Sequence, residues 1–453
     1  MVKSIQIRFN TLFSKGHERT VRAKKNIALS VLLKGGSVAI TLFLVPLTIQ
    51  YVNPTQYGIW LTLSSIIAWF SFFDIGLGNG LKNKLTEAIA LNKLSDARTY
   101  VSTTYAVLII ISIVIFILFS IGNPYINWEK ILNIQSNTGI NLTHLVFILF
   151  AFFCLQFVVQ IINTVLTANH ETSKSSLINL ISQLVIIIII YILTKSTQGS
   201  LSSLIFVLAG VPVLIFIAAS FWLYNTSYKK YAPSIKHVEF KYAKDLLSVG
   251  GVFFVIQIGA LILFQTDNIV ITQIFGPEEV TTFNIAYKLF STVTMVFTII
   301  ITPFWSGFTE AYTKKDFNWI RNIVSKMKKL WLILSLFTIA LLICSPFLYR
   351  LWVGEKIKIP FNLSIAMALS VIASIWQTIH VFLLNGINKI RLQLYLVIIS
   401  SIINIPMAIF FGKIIGVAGV TLSNAILFAI MGFIFSIQTK KILNNTATGI
   451  FNA

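Results

Sequence analysis

Twelve long apolar runs decide what this chain can fold into. A helix needs about 20 mostly apolar residues to cross a bilayer. The first six runs lie near 27–51, 57–78, 99–121, 142–166, 177–194 and 203–224. The second six lie near 247–275, 280–305, 328–349, 361–385, 392–412 and 417–438. Backbone groups in lipid must be satisfied within the segment, so runs of this length read as helices. They lack the polar–apolar alternation of a membrane barrel. The expected fold class is therefore an all-α polytopic membrane protein with about twelve transmembrane helices. Composition agrees: 56% of residues are hydrophobic and 11% charged, against roughly 25% charged in a soluble domain. A soluble enzyme, a nucleic-acid-binding protein and a disordered chain are excluded on that ground.

The charge balance is lopsided, with 35 Lys and Arg against 14 Asp and Glu. With a cytoplasmic N-terminus, 27 of those 35 basic residues fall in inner segments, six in outer segments, and two (Lys34 and Lys288) within spans. The positive-inside rule then expects both termini in the cytoplasm. Residues 1–26 form a basic tail, too charged for a cleaved leader. The expected organisation is a lobe at 27–224, a cytoplasmic linker at 225–246, a second lobe at 247–438 and a tail at 439–453. The lobes look duplicated. Pro54 and Pro277, the Thr-Glu-Ala triplets at Thr86 and Thr309, and Arg98 and Arg321 all share one sequence offset. Six spans per half give a parallel repeat, which suits a rocking pair with a site between the lobes.

Cys154 and Cys344 sit inside apolar runs, and the five histidines form no ligand pair, so no disulfide framework, metal or cofactor is expected. The phosphate-loop pattern is absent, so ATP hydrolysis is not expected to drive the protein.

The segment FDIGLGNGLKNKLTEA, from Phe73 to Ala88, closes the second span. QTDNIVITQIFGP, from Gln265 to Pro277, closes the seventh, and FNIAYKLFS follows from Phe283 to Ser291. Over roughly 27–440 this pattern resembles the polysaccharide-biosynthesis flippases, the Wzx-type O-antigen transporters. These belong to the multidrug/oligosaccharidyl-lipid/polysaccharide exporter superfamily. The resemblance implies two MATE-like six-helix lobes around a cavity with alternating access. It implies a substrate of oligosaccharide carried on undecaprenyl diphosphate, moved to the outer leaflet of a bacterial inner membrane. A polysaccharide polymerase and chain-length regulator proteins are the implied partners.

Charges within spans cost roughly 2.5–3.5 kcal/mol on insertion scales, so the exceptions are informative. Lys34 and Asp74 lie at similar depth near the inner side. Asp267 and Lys288 lie at matching distances from the turn at Pro277. Two ion pairs are expected, Lys34–Asp74 and Asp267–Lys288, since pairing offsets desolvation. Lys34 and Lys288 either line a cavity and attract a diphosphate, or serve as an interfacial snorkel and a structural pair. Asp74 and Asp267 read as gate or structural residues. His380, beside Gln377 and Thr378, either contacts phosphate or carries protons, or is a hydrogen-bonded packing residue. Gln156, Gln160 and Asn163 share one helical face, which contacts sugar hydroxyls or neighbouring helices. Lys82 and Lys84 either guide an anionic head group from the inner leaflet or hold the loop inside.

Three other functions compete. A cation-coupled multidrug exporter of the same superfamily would carry an acid in its N-terminal lobe, where Lys34 stands in the first span. A membrane glycosyltransferase would need charged clusters on a large loop, and the longest outer loop carries only Glu129 and Lys130. A non-catalytic component of an envelope glycan assembly complex is the third.

Overall fold

The computed structural model describes residues 18–70, 76–134, 141–169, 171–243, 266–302, 304–355 and 357–452. The described residues are helical, without strands. In chain order the helices are α1 (Glu18–Tyr51), α2 (Pro54–Ala68), α3 (Leu77–Ala90), α4 (Leu94–Gly122), α5 (Trp128–Ile131), α6 (Leu142–Val159), α7 (Ile161–Ala168) and α8 (Thr172–Ser196). There follow α9 (Leu201–Asn225), α10 (266–275), α11 (Pro277–Ile301), α12 (Phe304–Thr313), α13 (Phe317–Val353), α14 (Phe361–Gly386), α15 (Arg391–Ile415) and α16 (Val417–Leu443). Among the described residues, ten helical stretches are long and apolar enough to cross a membrane. The expected second and seventh spans are not among them. Residues 71–75 and 244–265, over which those spans run, lie outside the described residues.

Local sequence sets the helix starts. Asn53 Oδ1 accepts from Gln56 N at 2.8 Å, with Pro54 at the first helical position of α2. Pro277 likewise takes the first helical position of α11, and Glu278 and Glu279 in its first turn suit the positive end of the helix dipole. Asp316 caps α13 through Trp319 N at 3.0 Å.

The described residues within Met1–Val52, Ser71–Ile126 and Asn141–Gly251 form one compact unit. Those within Asn53–Phe70, Asn127–Ile140 and Val252–Ala453 form a second. In the first, α1 packs on α8, α3 on α4 and α7, α4 on α6, and α9 on α6 and α8. Its core is built from the Leu77, Leu81 and Leu85 stripe of α3 with Val101, Phe157 and Val165. In the second, α14 packs on α16, α13, α11 and α12, α15 on α16, and α2 on α11. This division differs from the expected consecutive lobes at Asn53–Phe70 and at Asn127–Ile140, which both join the second unit. The reason for α2 is the contact it makes: a Cβ on Gly58 would lie 1.6 Å from Pro277 O, so only glycine lets the two backbones meet.

The repeat read from sequence has equivalents in local geometry. The turns before α4 and α13 each carry one left-handed residue, Asn92 (φ 56°) and Lys315 (φ 57°). Thr86 Oγ1 donates to Ala168 O, the end of α7, at 3.2 Å, and Thr309 Oγ1 donates to Gly386 O, the end of α14, at 2.6 Å. Arg98 Nε donates to Ala232 O at 2.9 Å, and Arg321 Nη2 to Leu443 O at 2.5 Å. Each pair does the same work inside its own unit.

Candidate functional site

Among the described residues, a dense polar construction within apolar helices lies in the second unit, on α10. Two consecutive residues, Asp267 and Asn268, project about 100° apart around a helix of 3.6 residues per turn. Asp267 faces α16: its Oδ2 accepts from Asn424 Nδ2 at 2.6 Å, and Asn424 Oδ1 accepts from Asn404 Nδ2 of α15 at 2.7 Å. Asp267 is 5% exposed, and its Oδ1 has no hydrogen-bond partner. Asn268 faces the other way. Its Nδ2 donates to Ser65 Oγ of α2 at 2.7 Å, and its Oδ1 accepts from Asn284 Nδ2 of α11 at 2.8 Å. One turn along, Thr272 Oγ1 meets Thr62 Oγ1 at 2.6 Å.

Lys288 lies on the α2 side of this arrangement, one turn beyond Asn284. Its Nζ donates to Tyr57 Oη at 2.8 Å and sits 5.5 Å from the centre of that ring. The expected Asp267–Lys288 ion pair is therefore not formed. Both residues have the expected depth, but their helices turn them to different neighbours. Lys288 is half-buried, and among the described residues no carboxylate lies within ion-pair distance of it. An ammonium held by a neutral hydroxyl keeps its full charge and two further N–H donors.

Lys34 is exposed on α1. Asp74 lies outside the described residues, and with it the expected Lys34–Asp74 pair. The Gln156, Gln160 and Asn163 stripe crosses from α6, which ends at Val159, to α7, with Gln160 at the junction. Gln160 is exposed, and Asn163 Oδ1 accepts from Ser175 Oγ of α8 at 2.7 Å. Gln156 is half-buried, with an unpartnered Oε1. His380 is 1% exposed between α14 and α16. Its Nδ1 lies 3.0 Å from Thr439 Oγ1, and its ring meets Trp376 edge-on at 5.2 Å. Lys82 is exposed on α3, while Lys84 pairs with Glu87 at 3.1 Å one turn along the same helix. The candidates are thus scattered over both units, and only Lys288 and Asp267 share one polar construction. Sequence reasoning missed Tyr57, Asn268, Asn404 and Asn424. Their signal was available, since each places a polar group in or beside an apolar run.

The family described as polysaccharide biosynthesis protein matches residues 23–306, and the family described as MatE matches residues 253–410. A Salmonella typhi protein named for O-antigen transport is 23% identical over 85% of this chain and 88% of its own length. A Yersinia pseudotuberculosis protein named for O-antigen export is 22% identical over 78% of this chain and 81% of its own. Among solved structures, an inward-facing MATE family multidrug transporter superposes with a TM-score of 0.73 at 14% identity, covering 90% of this chain and 95% of that one. An outward-facing one gives 0.65 at 15% identity, covering 94% and 97%. The fold is that of the MATE transporters.

Proposed function

Because the chain belongs to the polysaccharide biosynthesis protein family, we propose that it flips a lipid-linked oligosaccharide from the cytoplasmic to the outer leaflet. The carrier is undecaprenyl diphosphate, and the product feeds surface polysaccharide assembly. The protein is a multi-pass inner-membrane transporter and not an enzyme. In this reading the basic segments, including 225–246, face the cytoplasm. A chain built on one repeat suits alternating access. A polymerase and chain-length regulator proteins are the downstream partners.

The observation that most supports this reading is the state of Lys288. A lysine paired with a carboxylate offers a ligand no net charge. Lys288 instead rests on Tyr57 Oη. Among the described residues no carboxylate pairs with it, in a span where burying a charge costs roughly 2.5–3.5 kcal/mol at mid-membrane. A diphosphate is a partner of matching charge, and a lysine serves it as a mobile point charge. Lys34, exposed on α1, is a further basic residue within an expected span. The test is Lys288→Gln, which should abolish surface polysaccharide while expression and thermal unfolding stay as in the parent. Lys288→Arg should keep part of the activity. Wild-type polysaccharide with Lys288→Gln would remove Lys288 from the route.

One observation favours a second reading, a cation-coupled multidrug exporter. The buried Asp267, with its unpartnered oxygen, falls within the MatE match at 253–410. That reading requires Asp267→Asn to change drug tolerance and leave surface glycan intact.

A further inference from the structure

We propose that residues 229–241 form a docking surface for the anionic phospholipid head groups of the inner leaflet. The inference rests on the cytoplasmic orientation of this segment given above, and not on the identity of the transported substrate.

The segment leaves α9 at Asn225 and is fixed to the first unit by its own backbone. Arg98 Nε donates to Ala232 O at 2.9 Å. Ser234 N donates to Ser102 Oγ at 3.0 Å, and Glu239 N donates to Thr103 Oγ1 at 3.0 Å. Tyr228 and Tyr231 are buried in the core of the unit. With backbone and tyrosines committed inward, the remaining side chains are held outward. They are Lys229, Lys230, Lys236 and Lys241, all exposed, together with Ile235 at 92% exposure and Phe240, also exposed. The one acid among them, Glu239, is taken by Lys241 at 2.5 Å. Three lysines therefore carry positive charge that no carboxylate of the segment offsets.

Two features favour lipid over a cytosolic protein. First, α9 is a candidate membrane span, and Phe221 and Trp222 at its end are exposed. Aromatic residues, tryptophan above all, concentrate at the membrane–water interface. Lys229 follows Trp222 by only seven positions, so the surface starts within reach of the head groups. Second, the unpaired outward charge is positive, and each apolar tip has a lysine next to it: Ile235 beside Lys236, Phe240 beside Lys241. Basic residues with protruding apolar side chains are the composition that lies in the interface. Lysines near an anionic surface each add a favourable increment, equivalent to about five-fold in affinity.

The test uses the full chain in nanodiscs. Ile235→Cys is made in a Cys344→Ala background, since Cys154 is buried, and carries a nitroxide. In discs containing phosphatidylglycerol, the label should collide more with oxygen than with a water-soluble nickel chelate. Replacing Lys229, Lys230 and Lys236 with Gln should reverse that preference. The same three changes should lower phosphatidylglycerol enrichment around the purified protein by about five-fold per lysine. A label open to the nickel chelate in every lipid overturns the proposal. So does equal immersion in phosphatidylcholine alone, or unchanged enrichment in the triple variant. Labelling of Ile235→Cys by an impermeant maleimide in intact cells would instead overturn the orientation. A loss of flipping activity would leave these readouts untouched, so the two readings fail separately.

Discussion

Gly58→Ala asks whether α2 is bound to α11 as closely as the geometry requires. The new Cβ would fall 1.6 Å from Pro277 O and 2.5 Å from Pro277 C. Carbon needs about 3.5 Å, and both atoms are backbone, so the helices must part by on the order of 2 Å. Four contacts hold α2 in place, two to α11 and two to the adjoining α10. Thr281 Oγ1 donates to Pro54 O at 2.6 Å, Lys288 Nζ to Tyr57 Oη at 2.8 Å and Asn268 Nδ2 to Ser65 Oγ at 2.7 Å, while Thr62 and Thr272 meet at 2.6 Å. Parting on that scale takes all four beyond hydrogen-bond range. Polar contacts between membrane helices average about 0.6 kcal/mol, so the four together are worth about 2–3 kcal/mol. A Thr62→Cys/Thr272→Cys pair, in a Cys344→Ala background, reads the distance directly. In the parent it should cross-link readily. Adding Gly58→Ala should slow cross-linking and lower the thermal unfolding midpoint by a few degrees. Unchanged cross-linking and an unchanged midpoint would refute the close approach and the seam built on it.

Two further outcomes follow from the termini of the repeat. Arg98→Ala and Arg321→Ala each remove a charged donor from one carbonyl, and each should cost about 1.5–3 kcal/mol in thermal unfolding. One silent and one severe variant would contradict their equivalence. Tyr228 lies outside the spans, with its hydroxyl donating to Glu171 Oε2 at 2.5 Å. Burial first, and the Glu171 carboxylate second, raise its phenol above the ordinary value. The folded state therefore holds this proton longer than the unfolded chain does. Stability from it is complete below about pH 10 and is lost as pH rises further. Unfolding midpoints measured across that range should fall more steeply for the parent than for Tyr228→Phe, and identical slopes would count against the burial.

The spans were legible because apolar length is a one-dimensional signal, and the repeat because Thr86 and Thr309, like Arg98 and Arg321, keep one spacing. The partners of the buried charges were not. Distance along a helix gives depth, and depth alone made Asp267 and Lys288 look like a pair. Direction around the helix decides, and it sends Asp267 to Asn424 and Lys288 to Tyr57. Lone amides such as Asn404 and Asn424 become informative only once α10, α15 and α16 are brought together. The Gln156–Asn163 stripe crosses a junction at Gln160, and Asn163 on it meets the neighbouring helix α8 through Ser175. His380 Nδ1 lies against Thr439 in a packed interior.

Whether a lipid-linked oligosaccharide crosses the membrane through this protein, with Lys288 on its route, can be read from purified protein reconstituted into vesicles with an undecaprenyl-diphosphate-linked glycan, a membrane-impermeant glycosidase reporting which leaflet holds the sugar. Parent protein should make the inner-leaflet pool accessible over time, and Lys288→Gln should slow this to the rate of protein-free vesicles. Vesicles with the parent protein that keep their inner pool protected would contradict the account.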